Sequence, residues 1–179
     1  AQEWREKADA LRDLEGLRWH FIGALQTNKV KLIAGRVHAI HMVDRAELAR
    51  EISRRFLQKG AVARVFLEVN VGGEASKAGC APEAAPALAE AVRALPAVEL
   101  VGLMTVPPPE GDPRPHFRRL RALRDALGLR ELSMGMSADW PIAVEEGATV
   151  IRVGTAIFGS GRSRSFPEPF TSAWNSCPQ

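Results

Sequence analysis

Tyrosine is absent from this chain of 179 residues, cysteine occurs twice and histidine four times. Two cysteines, Cys80 and Cys177, cannot build a disulfide framework, so a packed core has to hold the fold. No apolar run exceeds strand length, which excludes a helix that spans a bilayer and sets aside a membrane partner. The opening residues Ala1-Gln2-Glu3-Trp4 lack the basic-then-apolar build of a secretory signal, and with sparse cysteine this points to a reducing, cytoplasmic setting. GxSxG, Walker and GxGxxG patterns are missing. No spacing of His, Cys and acids matches a metal site. A one-sided charge is missing too: 24 Lys and Arg face 21 Asp and Glu, for a net charge of +3. The basic residues are mixed with acids along the chain, and the one tight pair, Arg162 and Arg164, sits in a Ser-rich tail. That distribution argues against a nucleic-acid partner.

What remains is an ordinary soluble composition, 46% apolar and 25% charged, enough for one domain. Two hydrophobic periods alternate along it. Segments 18–25, 37–44, 63–71, 98–106, 131–136 and 149–158 are short and rich in Val, Ile, Leu and Phe, as expected of strands buried on both faces of a parallel sheet. Between them, Leu48, Ile52 and Phe56, then Leu88, Ala91, Val92 and Leu95, then Leu120, Leu123 and Leu127 recur at helical spacing. These patterns predict helices over 46–59, 83–95 and 116–128, with further ones over 2–14, 28–35 and 140–146. Thr27 and Asp139 are candidate N-caps, and Gly35, Gly60, Gly128 and Gly147 stand where C-terminal caps fall. Repeated strand–helix units mean an α/β fold, and periodicity leaves both an open doubly wound sheet and a (β/α)8 barrel in play.

In either architecture ligands bind at the C-terminal ends of the strands. After the fifth strand comes Ser133-Met134-Gly135-Met136-Ser137, running into a helix, and after the sixth Arg152-Val153-Gly154-Thr155. Both loops offer backbone amides and hydroxyls, which suits a phosphate as well as an ordinary tight turn. Arg152 lies in an apolar strand and needs a partner, either a ligand or an acid such as Glu145 or Glu146. His20, His38 and His41 read as packed or hydrogen-bonded core groups, and 118–124 (RRLRALR) as a solvated helix face. Acid–base pairs are scarce at the strand ends. Asn28, Asn70 and Thr105 stand there, with only His20 and Glu68 able to titrate.

The segment from Trp19 to Lys29 (WHFIGALQTNK), Asn70 to Gly79, Gly102-Leu103-Met104, Ser133-Met134-Gly135-Met136-Ser137 with Asp139, and Arg152 to Gly159 (RVGTAIFG) resembles the pyridoxal phosphate homeostasis family, also called the YggS or proline synthase co-transcribed family. The resemblance implies an alanine racemase-type N-terminal (β/α)8 TIM barrel over 1–159, with a tail over 160–179. It implies a cytoplasmic, monomeric, non-catalytic carrier of pyridoxal 5′-phosphate in vitamin B6 homeostasis. Its partners would be the cofactor and pyridoxal phosphate-dependent apoenzymes. Ser137, Gly154 and Thr155 would hold the phosphate with Ser133 and Met134 nearby, and Arg152 would face the pyridine nitrogen. The family's strand with the cofactor lysine, in a VAVSKT-like segment, and the next strand, ending near FGEN, have no counterpart here. The expected barrel is therefore incomplete, lacking its first two strands and the usual covalent attachment point. The alternatives are a racemase-like enzyme, which would need that lysine and a tyrosine, and an inactive fragment.

Overall fold

The computed structural model describes residues 2–11, 13–74 and 78–159. The tail from Ser160, with Cys177 and the Arg162–Arg164 pair, lies outside the described residues. Six parallel strands, β1 (His20–Phe21), β2 (Ala39–Val43), β3 (Ala63–Glu68), β4 (Val98–Met104), β5 (Glu131–Met136) and β6 (Val150–Arg152), lie in the order β1-β2-β3-β4-β5-β6. Strands adjacent in sequence are adjacent in space, with helices as the crossovers. Among the described residues β1 and β6 are the two edges of the sheet.

The helices are α1 (Gln2–Ala10), α2 (Val30–Ile33), α3 (Ala46–Gln58), α4 (Ala85–Arg93), α5 (Arg114–Ala126), α6 (Trp140–Glu145) and α7 (Thr155–Phe158). In α3, Leu48, Ala49, Ile52 and Phe56 are buried along one stripe, as their spacing requires. On its outer face Glu51 is bonded by both Arg54 and Arg55, at 2.8 and 2.7 Å, which holds its carboxyl down to about 2. The stripe of α4 starts earlier than its sequence suggests. Ala85, Ala89 and Val92 are buried, while Ala91 faces solvent. The basic face of α5 is an anchor as well as a solvated surface. Arg114, Arg118 and Arg121 converge on Glu146, which is buried at the end of α6. Those contacts account for Glu145 and Glu146, so neither pairs with Arg152.

Strand alternation divides the side chains between two faces. In β3, Val65 and Leu67 join the core between sheet and helices, with Ile40, Val43, Leu103, Leu132 and Met134 from its neighbours. Arg64, Phe66 and Glu68 point the other way. There Ala39, Phe66, Val101 and Met104 form a small second core. Below it Arg64 donates to Glu131 at 2.7 Å and to His38 Nε2 at 2.8 Å. Arginine has only donors, so His38 is neutral and accepts through Nε2.

Two local expectations fail for visible reasons. Thr27 is not an N-cap, because Gln26 occupies that place and Thr27 is already in a short 3-10 turn, Thr27–Lys29. The apolar run over 149–158 is not one strand. It ends at Arg152, and Gly154, with φ −119° and ψ −74°, turns the chain into α7. Gly135 has φ +91°, and a Cβ there would meet Ala143 Cβ at 2.6 Å, so its missing side chain makes room for α6 rather than for a ligand. Gly60, at φ +62°, has nothing within 4 Å of an added Cβ. Gly60→Ala should therefore cost only the left-handed backbone penalty, about 1–2 kcal/mol. Gly135→Ala adds overpacking and should cost about 1–3 kcal/mol more. Thermal or urea unfolding of the two variants checks the order.

Candidate functional site

The C-terminal ends of β4, β5 and β6 meet at an open cavity of about 1310 Å³ that reaches across to β1. Arg152, Ser137, Gly154 and Thr155 line it, along with His20, His41, Asp139 and the proline-rich segment after β4.

Arg152 is the best-anchored group on its wall. Nη1 donates to Ser133 Oγ at 2.7 Å and Nη2 to the Thr105 carbonyl at 2.8 Å. Thr105 is itself fixed, its hydroxyl donating to the Val69 carbonyl at 2.8 Å. Burial lowers the Arg152 pKa, and Asp139 and Glu68 oppose that shift.

Behind Arg152 runs a hydrogen-bonded chain. His41 Nδ1 lies 2.8 Å from Ser133 Oγ, and His41 Nε2 lies 2.9 Å from His20 Nδ1. His41 is fully buried and stacks on Phe66 with ring centroids 4.1 Å apart. Burial, then the neighbouring His20 and Arg152, pushes its pKa down to about 3. His20, at the exposed end of the chain, is lowered as well, first by burial and then by His38. The neutral His41 ring has one donor and one acceptor. If the Ser133 hydroxyl donates to Nδ1, His41 donates to His20; in the opposite tautomer both bonds reverse.

Two other loops form an oxygen-sized cradle. The amides of Gly154 and Ala156 both donate to Ser137 Oγ, at 3.2 and 3.3 Å. Asp139 does precede α6 as its N-cap residue, but its carboxylate turns back to accept from the Met136 amide at 2.6 Å and shapes the turn that carries Ser137. A Cβ on Gly154 would meet nothing within 4 Å, so the space above that backbone is open.

The sequence-derived site thus splits. Ser137, Arg152, Gly154 and Thr155 share the cavity wall. Ser133 lies beneath it, fully buried, as a support for Arg152. Met134 faces the helices in the main core, and its side chain does not line the cavity. His41 went unrecognised as part of this site. Its signal was a polar residue at a strand position that alternation turns toward the concave face.

Comparison with known proteins decides the family. The alanine racemase N-terminal domain family matches residues 2–161. The pyridoxal phosphate homeostasis protein of Aquifex aeolicus is 52% identical over 168 residues, covering 88% of this chain and 73% of that protein. The chain belongs to the pyridoxal phosphate homeostasis family. Its Pseudomonas aeruginosa relative is 46% identical over 164 residues, covering 89% of this chain and 71% of the relative. The solved structure of PipY from Synechococcus elongatus with pyridoxal phosphate bound superposes with a TM-score of 0.79 at 36% identity, covering 88% of this chain and 78% of that one. An alanine racemase of Clostridium difficile, at 17% identity and a TM-score of 0.65, shares the fold, with 88% of this chain and 44% of that enzyme covered.

The neutral state of His41 is directly measurable. Its ring nitrogen shifts in 15N NMR should stay flat from about pH 8 to about pH 5, since a ring with a pKa near 3 takes up its proton only below that range. An imidazole titrating near pH 6 would contradict the burial and pairing described.

Proposed function

We propose that the chain binds pyridoxal 5′-phosphate without catalysing turnover, as a carrier in vitamin B6 homeostasis. The observation that carries this reading is a cradle and a guanidinium on one wall. Two amides converge on a single oxygen position at Ser137, and Arg152 is anchored beside them. Ser137 Oγ holds that position and keeps its hydroxyl proton free to donate, and the Thr155 hydroxyl and the open backbone at Gly154 border the space beside it, where a phosphate would be bound. The family relatives named for pyridoxal phosphate homeostasis support the choice of phosphoester.

Arg152 sets the character of the site. A guanidinium stays protonated and can only donate, so a pyridine nitrogen facing it is held unprotonated. Bound pyridoxal phosphate supplies an aldehyde and an electron-withdrawing ring, and a ring without its pyridinium proton is a poor electron sink. Ser133 and the Thr105 carbonyl fix the guanidinium, and His41 fixes Ser133. Both hydrogen-bond acceptors of Arg152 are neutral, so the group facing the ring nitrogen is the guanidinium and not an acid paired with it. Holding the cofactor for delivery to apoenzymes suits such a site better than carbanion chemistry. The six strands would be six of the eight in a (β/α)8 barrel, with two further strands closing the gap between β6 and β1.

Binding of pyridoxal phosphate, followed by its absorbance and by equilibrium dialysis, tests this. Arg152→Ala and Thr155→Ala should each weaken it about tenfold, equivalent to about 1.4 kcal/mol. His20→Ala, three hydrogen bonds removed from the guanidinium, should change it by less than about threefold. Equal losses in all three variants would contradict the assignment. Borohydride should trap no cofactor on a lysine of this chain, because none stands where the family attaches it; a trapped adduct would contradict that part of the reading.

A further inference from the structure

The wall of the large cavity at β1, the sheet edge opposite Arg152, carries hydrogen-bond donors that the chain does not use. Arg18 and His20 line it, and the His38 ring stands beside His20 with centroids 5.2 Å apart. His38 accepts from Arg64 through Nε2 at 2.8 Å, so its proton sits on Nδ1, which meets no acceptor among the described residues. Arg18 lies close enough to act on both rings, and among the described residues no acid or carbonyl engages its guanidinium.

The acids at this end are committed elsewhere. Glu131 is bonded by Arg64 at 2.7 Å, and Glu99 is shared by Arg64 and Arg130 at 3.6 and 3.4 Å. Asp139, the one acid that lines the cavity among the described residues, accepts from the Met136 amide on the far side. Arg18 is the cation left over. Burial lowers His20 first, then His38, Arg64 and Arg18; burial lowers His38 first, then Arg64 and Arg18; only Glu131 opposes. Two guanidinium groups repel a metal ion here, and no group of three or more His, Cys, Asp or Glu among the described residues could ligate one.

An acceptor at His20 Nε2 also gives the chain behind Arg152 one direction. His20 then accepts at Nδ1 from His41, His41 accepts at Nδ1 from the Ser133 hydroxyl, and Ser133 Oγ accepts from Arg152. Each group donates to the next, and the last donor, on His20, faces the cavity. The cavity, at about 1310 Å³, has room for a second small ligand beside a cofactor.

We propose that Arg18, His20 Nε2 and His38 Nδ1 form a subsite for a small oxyanion, a carboxylate or a phosphate, at the β1 wall of the cavity. The assignment does not depend on the cofactor reading, which uses the cradle at the opposite edge.

The test uses the 15N-labelled chain without pyridoxal phosphate at about pH 7.5, where both lowered rings are neutral. Acetate and inorganic phosphate are titrated separately against chloride at constant ionic strength. Both should give saturable shifts at His20 Nε2, His38 Nδ1 and Arg18 Nε, with the His20 proton on Nε2 at saturation. Tighter binding of phosphate assigns a phosphoester, and binding of acetate at least as tight assigns a carboxylate. Arg18→Gln should weaken binding about tenfold, whereas Arg130→Gln, an exposed arginine at the same end, should change it less than about twofold. Absent or non-saturable shifts for both anions, equal losses in the two variants, or a His20 proton on Nδ1 at saturation would overturn the proposal. The ring shifts are read in the unsubstituted chain, so a variant that fails to fold leaves the test intact. The Gly154 and Ala156 amides report the cradle separately, so failure at His20 and His38 leaves that reading standing.

Discussion

A half-buried guanidinium needs its donors satisfied, and that requirement organises the concave side of this sheet. Arg152 stands on a three-residue edge strand, yet it ties three strand ends together through the Ser133 hydroxyl and the Thr105 carbonyl. Ser133 can accept from Arg152 only because β5 turns its side chain inward, and His41 can support Ser133 only because β2 does the same. Charge-assisted bonds of this kind are stronger than neutral ones, and with neutral acceptors the charge of Arg152 is balanced only by the more distant Asp139 and Glu68. A guanidinium fixed in place on the cavity wall suits a phosphoester.

The division of labour between the two faces follows from parallel pairing. The helix-facing side is apolar throughout and carries most of the stabilisation, with Phe56, Phe117, Ile52 and Leu132 fully buried. The concave side holds a much smaller apolar cluster and is otherwise polar: Arg64 with Glu131 and His38 at one end, His41 with Ser133 in the middle, Arg152 and Glu68 at the other. Polar groups in such a layer persist only when paired, and nearly all of them are. Glu68 forms no hydrogen bond among the described residues, but its charge acts on Arg152 across the sheet.

Much of this was legible in the residues. Val, Ile and Leu runs separated by helical stripes gave six strands in the right places, and glycines at 35, 60, 128 and 147 did adopt the positive φ of helix ends. The cluster of Ser137, Gly154 and Thr155 was readable because two loops of like chemistry followed adjacent strands. Other features were not readable, for physical reasons. The TAIF run could not be told from a strand, since four apolar residues fit either period and only the backbone at Gly154 decides. Ser133 and His41 are 92 residues apart, and their contact depends on the register of a sheet, which no local pattern encodes. Met134 stood next to the right residues in sequence and on the opposite face in space.

The central claim is that Arg152 faces the cofactor ring as a pure donor. Pyridoxal phosphate labelled with 15N in the ring, added to the chain at neutral pH, reports this directly. The account predicts a bound cofactor whose nitrogen has the chemical shift of an unprotonated pyridine, changing when Arg152 is replaced by alanine. A pyridinium shift in the bound state, or a cofactor that does not bind at all, would contradict it.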